Sequence, residues 1–158
     1  MNLAKCFVVI FLLKICVLLP ATSYAQVNTY QFEQLDSLQK IKKNVVVFIH
    51  TDWCKYCQAM KQTTFKADNV ISKLNTDFYF VELNAEEKRT IYFNGHVFKY
   101  VATGTNIGMH ELAEQLGRIN GETIYPTICV LNANNEIIYQ HTQFIDSGGL
   151  LEILKYLK

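Results

Sequence analysis

Cys54 and Cys57 are separated only by Lys55 and Tyr56. Thiol–disulfide exchange needs such a pair: one thiolate attacks a disulfide, and a second thiol close by attacks the resulting mixed disulfide and releases the partner. Where the pair opens a helix, the first cysteine lies among unpaired backbone N–H groups at the positive end of the helix dipole, which favours a negative sulfur. The second lies a turn inside. Cys54 is then the nucleophile and Cys57 the resolving thiol, and the charge of Lys55 favours the Cys54 thiolate further. Zinc is the competing use of a Cys-x-x-Cys pair, but a closed structural site wants four ligands. The chain has neither a second such pair nor a closely spaced pair of histidines. His50, His96, His110 and His141 are scattered over separate segments, and of these only His50 is close enough in sequence to Cys54 to act on it electrostatically. Exchange of this kind calls for no metal and no organic cofactor.

The remaining cysteines sort by position. Lys5 precedes an apolar run from Cys6 to Leu19 that ends at Pro20 and the small or polar Ala21-Thr22-Ser23. That is the layout of a secretory signal peptide, with Ser23-Tyr24-Ala25 as the cleavage triplet and residues 1–25 removed. The apolar run is shorter than the roughly 20 residues of a spanning helix and is interrupted by Lys14, so no stable membrane insertion is expected after cleavage. Neither Cys6 nor Cys16 follows the small residue that a lipid-modification site wants. Residues 26–158 then form one domain, with half of the whole chain apolar and material for one sizeable core. Without Lys5 and Lys14, 13 of the 15 basic residues face 14 acidic ones, a formal net charge of −1 with no basic cluster, which argues against nucleic acid as a partner. Three cysteines remain of the five, too few for a disulfide scaffold: a close pair and Cys129, which lies in an apolar segment and reads as an inert buried thiol.

The elements that must position the pair follow from pattern. After an extended stretch at Val27 to Tyr30, the apolar residues Phe32, Leu35, Leu38 and Ile41 recur at helical spacing. Val45 to Ile49 is a continuous β-branched and aromatic run, the signature of a strand covered on both faces. The cysteine motif stands just beyond its end, opening a helix from Cys54 to about Phe65, and a further helix runs from Asp68 to Leu74 with Asp68 as its cap. Phe78 to Asn84 reads as a second inner strand in which Glu82 is a charge out of place for a purely structural element. Ile91-Tyr92-Phe93 and Val97 to Val101 flank Asn94-Gly95, which predicts a β-hairpin. A helix from Gly108 to Leu116, a strand from Thr127 to Leu131, a turn at Asn132 to Asn135, an antiparallel strand from Glu136 to His141 and a closing helix from Leu150 to Leu157 complete the chain.

An apolar strand, then Thr51-Asp52-Trp53-Cys54-Lys55-Tyr56-Cys57 opening a helix, then Tyr125-Pro126-Thr127 opening a late strand, resembles the thioredoxin superfamily over roughly Phe32 to Lys158. The resemblance implies an α/β fold with a central mixed β-sheet flanked by helices, here with a β-hairpin insertion before the proline strand. It implies a cis peptide bond at Pro126, packed against the cysteine pair, and a substrate-binding role for Tyr125 and Pro126, whose backbone pairs with the substrate like an added strand. Trp53 matches the family's tryptophan before the first cysteine, which shields the thiols and forms part of the docking surface.

Two departures from the family stand out. Thioredoxin proper has a buried aspartate six residues before the first cysteine, where this chain has Phe48. Glu82 on the neighbouring strand is the residue able to replace it as proton acceptor for Cys57. The interval from Asn84 to Pro126 is also longer than in a minimal thioredoxin. Its aromatics Tyr92, Phe93, Phe98 and Tyr100 offer a surface that could select partners.

The function expected is reduction of disulfides in exported proteins, in the periplasm or outside the cell, with electrons from an external thiol donor. The alternatives are an oxidase that donates disulfides and a non-catalytic adaptor or chaperone using the same groove.

Overall fold

The structure is a computed structural model and describes residues 25–38, 41–105 and 107–158. The signal-peptide reading of residues 1–25 falls almost wholly outside the described residues.

Four strands form the central sheet: β1 (Asn44–His50), β2 (Phe78–Asn84), β9 (Thr127–Leu131) and β10 (Ile137–Thr142), in the order β10-β9-β1-β2. β1 runs parallel to β2, while β9 is antiparallel to both β1 and β10, so the sheet is mixed. Val45 to His50 and all of β9 are buried, as the unbroken apolar runs of these strands require for the middle of a sheet covered on both faces. Side chains alternate between two cores. One face carries Val45, Val47, Ile49, Cys129 and Leu131 against Phe32 and Leu35 of α1 (Phe32–Leu38) and Leu112, Ala113 and Leu116 of α4 (Glu111–Gly117). The other carries Val46, Phe48, Phe78, Phe80, Ile128 and Val130 against α2 (Lys55–Gln62), α3 (Asp68–Asp77) and α5 (Ser147–Tyr156). The result is the helix–sheet–helix architecture expected.

Several details differ from the sequence pattern. β2 is not an inner strand but stands at the end of the sheet, where Thr29 makes a single parallel bridge to Phe80 and the Tyr30 N–H donates to the Phe80 carbonyl. That cover stops short of Glu82, which is why a charged side chain is tolerated there. Asp68 is not a cap: Ala67 occupies the cap position of α3, and Asp68 is in the first turn, where its charge still suits the helix dipole. The helix after the cysteines ends at Gln62, and a 3₁₀ turn, Thr64–Lys66, follows. The closing helix starts earlier than the apolar pattern, because Asp146 caps it by accepting from the Gly149 N–H.

The interval from Asn84 to Pro126 contains three hairpins in place of one. β3 (Ile91–Phe93) pairs with β4 (His96–Phe98) around Asn94 and Gly95, whose φ angles of 51° and 75° are those of a type I′ turn. Past Lys99, β5 (Tyr100–Gly104) pairs with β6 (Ile107–His110), so residues expected to open a helix at Gly108 are strand, and α4 starts only at Glu111. Gly108 is required for that pairing, since a Cβ there would collide with the Val101 carbonyl and the Tyr100 ring. A third pair, β7 (Arg118–Ile119) and β8 (Glu122–Thr123), turns at Asn120-Gly121, the same dipeptide signal as the first. Of the four insertion aromatics only Tyr92 is exposed. Phe93 is buried edge-on to Phe32, Phe98 is half-buried against the same core, and the Lys88 ammonium lies over the Tyr100 ring.

Candidate active site

The motif lies where β1 hands over to α2. Cys54 has extended backbone angles and caps the helix, with its sulfur accepting from the Cys57 N–H at 3.1 Å. A sulfur at this position accepts from one of the helix's free N–H groups, at the helix start where the sequence put it. Cys54 and Cys57 are joined in a disulfide. Cys57, with 0 % exposure, packs in the α2-side core with Met60, while Cys54 retains 6 %. The loop before them is tied down by the end of β2 and the turn that follows it: Asn84 donates to the Asp52 carboxylate, and the Trp53 indole N–H donates to Glu86 at 3.1 Å.

Trp53 is 67 % exposed and stands edge-on to Tyr125, ring centroids 6.1 Å apart. The Tyr125–Pro126 peptide bond is cis, and Pro126 is buried. The Tyr125 hydroxyl donates to Met109 Sδ on β6, so the insertion buttresses the ring that meets Trp53. Burial, with Glu86 and Glu114 near by, pushes the Tyr125 phenol up to about 12, and the hydroxyl stays protonated at any physiological pH. Beside these residues an open groove of about 470 Å³ is lined by Tyr56, Ile124, Tyr125, Gln143 and Phe144. None of its five lining side chains carries a charge at neutral pH. Gln143, at φ 79°, is in the left-handed region that a glutamine rarely adopts, and its N–H donates to the Pro126 carbonyl.

Under the helix, Phe48 fills the place of the family's aspartate, fully buried, edge-on to Phe65 and stacked on His50. Glu82 pairs in register with Phe48 and shares its face of the sheet, the face that Cys57 packs against. Its carboxylate is 2.7 Å from the Lys61 ammonium and 3.8 Å from His50 Nε2, with the side chain 35 % exposed. It is therefore a paired carboxylate at the rim of the core and not a sequestered acid. His50 is 5 % exposed, and burial and the Lys61 charge push it below the ordinary imidazole range, while Glu82 and Asp52 pull the other way.

The structure thus brings together Trp53, Cys54, Cys57, Tyr125 and Pro126 at one end of the sheet, with Glu82 at the rim below. Sequence reading missed the aromatic groove side chains Tyr56 and Phe144 and the Lys61–His50 pair. Lys61 had a usable signal, since it lies four residues after Cys57 and so on the same helix face. Gln143 had none, because its loop approaches Pro126 only in the folded chain. His110, the other buried histidine among the described residues, is fully satisfied: Nδ1 accepts from Leu112 N–H and Nε2 donates to the Arg89 carbonyl.

The family model of a thioredoxin-like domain matches residues 31–158. No curated protein sequence matches the chain. Among solved structures, the chain is similar to the DsbH oxidoreductase, with a TM-score of 0.58 and 11 % identity over 88 % of this chain and 89 % of that one. It is similar also to a thioredoxin from Thermus thermophilus, with a TM-score of 0.57 and 20 % identity over 83 % and 86 %. The exposed lipoprotein thioredoxin of Streptococcus pneumoniae gives a TM-score of 0.50 and 18 % identity over 78 % and 90 %. At such identities the likeness is one of fold. With the family model spanning nearly all the described residues and the disulfide capping its helix beside a cis-proline, the chain belongs to the thioredoxin-like family.

Proposed function

We propose that the protein is a thiol–disulfide oxidoreductase that reduces disulfides in exported proteins. The observation that carries this reading is the Cys54–Cys57 disulfide at the N-terminus of α2, in the core cluster against which Tyr125 of the cis Tyr125–Pro126 bond packs. In the reduced chain Cys54 attacks a partner disulfide, the partner's sulfur leaves with the electron pair, and a Cys54–partner bond remains. Cys57 then attacks Cys54, the Cys54–Cys57 bond forms, and the partner leaves as a dithiol. Trp53, Tyr125 and Pro126 form the surface on which the partner docks, the uncharged groove taking its side chains. Glu82 serves the proton transfer of Cys57 through the cluster it makes with Lys61 and His50.

Residues 1–25 act as a secretory signal, so the domain works in the periplasm or outside the cell and receives electrons from an external thiol donor. The layout of the N-terminus supports this, as does the fold likeness to an exposed lipoprotein thioredoxin.

Equilibration of the pair in glutathione or dithiothreitol buffers, followed by alkylation and mass analysis, tests the reading. A potential near about −270 mV supports the reductase, and one near about −120 mV makes the protein a disulfide donor. A pair that stays reduced at every poise removes the enzyme and leaves the adaptor.

A further inference from the structure

His50 is placed unlike any other titratable side chain near the site. Lys61 Nζ lies 3.1 Å from its Nε2. An ammonium has only donors, so Nε2 accepts and the ring proton of the neutral imidazole is on Nδ1, which is buried without a partner. Glu82 Oε2, 2.7 Å from Lys61, is also 3.8 Å from the same Nε2. One nitrogen therefore has a donor beside it for its neutral form and a carboxylate beside it for its protonated form. The charged groups facing the ring are Lys61 from α2, Glu82 from β2 and Asp52 from the loop after β1.

The resolving thiol needs such a group. Cys57 has no exposure, and burial in apolar surroundings opposes the thiolate that must form. Strand alternation on this face offers Val46, Phe48 and His50 from β1, Phe78, Phe80 and Glu82 from β2, Ile128 and Val130 from β9, and Tyr139 and His141 from β10; of the titratable side chains among these, His50 and Glu82 are the two that Lys61 of the cysteine helix reaches. Lys61, one turn below Cys57 on the helix, links both to the thiol's own face. With ordinary pKa values an imidazole is a better acceptor of a thiol proton than a glutamate by about 10²-fold, and the burial of His50 narrows that margin. The cluster opens outward: Lys61 and Glu82 line a groove of about 310 Å³ with Gln26, Val27, Thr29 and Phe65.

We propose that His50 is the seat of the proton that Cys57 releases when it resolves the mixed disulfide, with Lys61 and Glu82 as the partners of its neutral and protonated forms. This rests on the exchange reading above. The thiol proton ends on Nε2, the Cys57 thiolate attacks Cys54, the Cys54–Cys57 bond forms as the Cys54–partner bond breaks, and the departing thiolate takes a proton from solvent. Glu82 becomes a positioning residue, holding Lys61 and receiving the imidazolium.

Stopped-flow reaction of the reduced chain with a chromogenic aryl disulfide tests it, because one equivalent of coloured thiol follows Cys54 attack and a second follows resolution by Cys57. In the unaltered chain the second phase quickens with rising pH through one ionisation below the ordinary histidine range. His50→Gln, whose amide still accepts from Lys61, slows the second phase by about 10²-fold and removes that ionisation, while the first phase stays within about twofold. Glu82→Gln moves the ionisation to lower pH and Lys61→Gln moves it to higher pH. A second phase in His50→Gln with the original rate and pH profile overturns the assignment alone. Release of only one equivalent by the unaltered chain overturns the exchange reading and this proposal with it. Should His50→Gln not fold, a pH profile unmoved in both other variants, or moved the same way in both, overturns the assignment.

Discussion

Cys57 and Cys129 are both fully buried, on strands or helices packed against the same sheet, yet one is joined in a disulfide and the other is a free thiol. Cys129 sits in β9 opposite Val47, on the face with α1 and α4, where its neighbours are aliphatic and aromatic. Burial pushes its thiol up to about 12. Cys57 is on the other face, joined to a cysteine that caps a helix, and the cluster of Lys61, Glu82 and His50 begins one turn away. Burial alone therefore does not make a cysteine inert. What separates the two is whether a helix terminus, a partner sulfur and titratable groups reach the same side of the sheet.

That contrast breaks first on labelling. At pH 8 a thiol with a pKa of about 12 is ionised to about one part in 10⁴, some 10³-fold less than a free cysteine. Alkylation of the reduced native chain followed by mass analysis should modify the motif and leave Cys129 untouched until denaturant is added. Native labelling of Cys129 would show that the second core is open.

The same atom change at the two positions sharpens it further. Cys57→Ser should cut multiple-turnover disulfide reduction by at least about 10²-fold and accumulate Cys54–partner adducts on non-reducing gels. A variant that traps nothing would support the adaptor. Trp53→Ala comes next: about tenfold in kcat/KM, carried by KM, with unfolding free energy within about 0.5 kcal/mol because the ring is exposed. Loss of stability instead would place the ring's value in packing. Cys129→Ser should have the smallest effect, leaving exchange unchanged while an unpartnered buried hydroxyl costs about 1–3 kcal/mol in denaturant unfolding.

Much of the frame was legible because it is written in local pattern. The β-branched runs marked β1 and β9, Asn94-Gly95 marked a hairpin, and the absence of glycine and proline after Cys54 marked α2. Asn120-Gly121 carried the same hairpin signal, but its strands are too short to show alternation. The β5–β6 hairpin was hidden because its exposed side chains follow no two-residue alternation along β5. β2 read as inner because Phe78 to Val81 is an unbroken aromatic and β-branched run, and only the pairing order reveals that it ends the sheet.

By itself the sequence determined the chemistry available: a Cys-x-x-Cys pair at a strand-to-helix junction, a tryptophan before it, a proline opening a late strand, and no acid at position 48. Which side of the sheet each of these faces, and what meets it there, was decided by the tertiary structure. The Lys61–Glu82–His50 cluster joins three segments, the Trp53–Tyr125–Met109 contacts join three others, and Gln143 reaches Pro126 from a loop beyond β10. Such contacts depend on strand order and register, and these are set by how the whole core packs and not by any one stretch of chain.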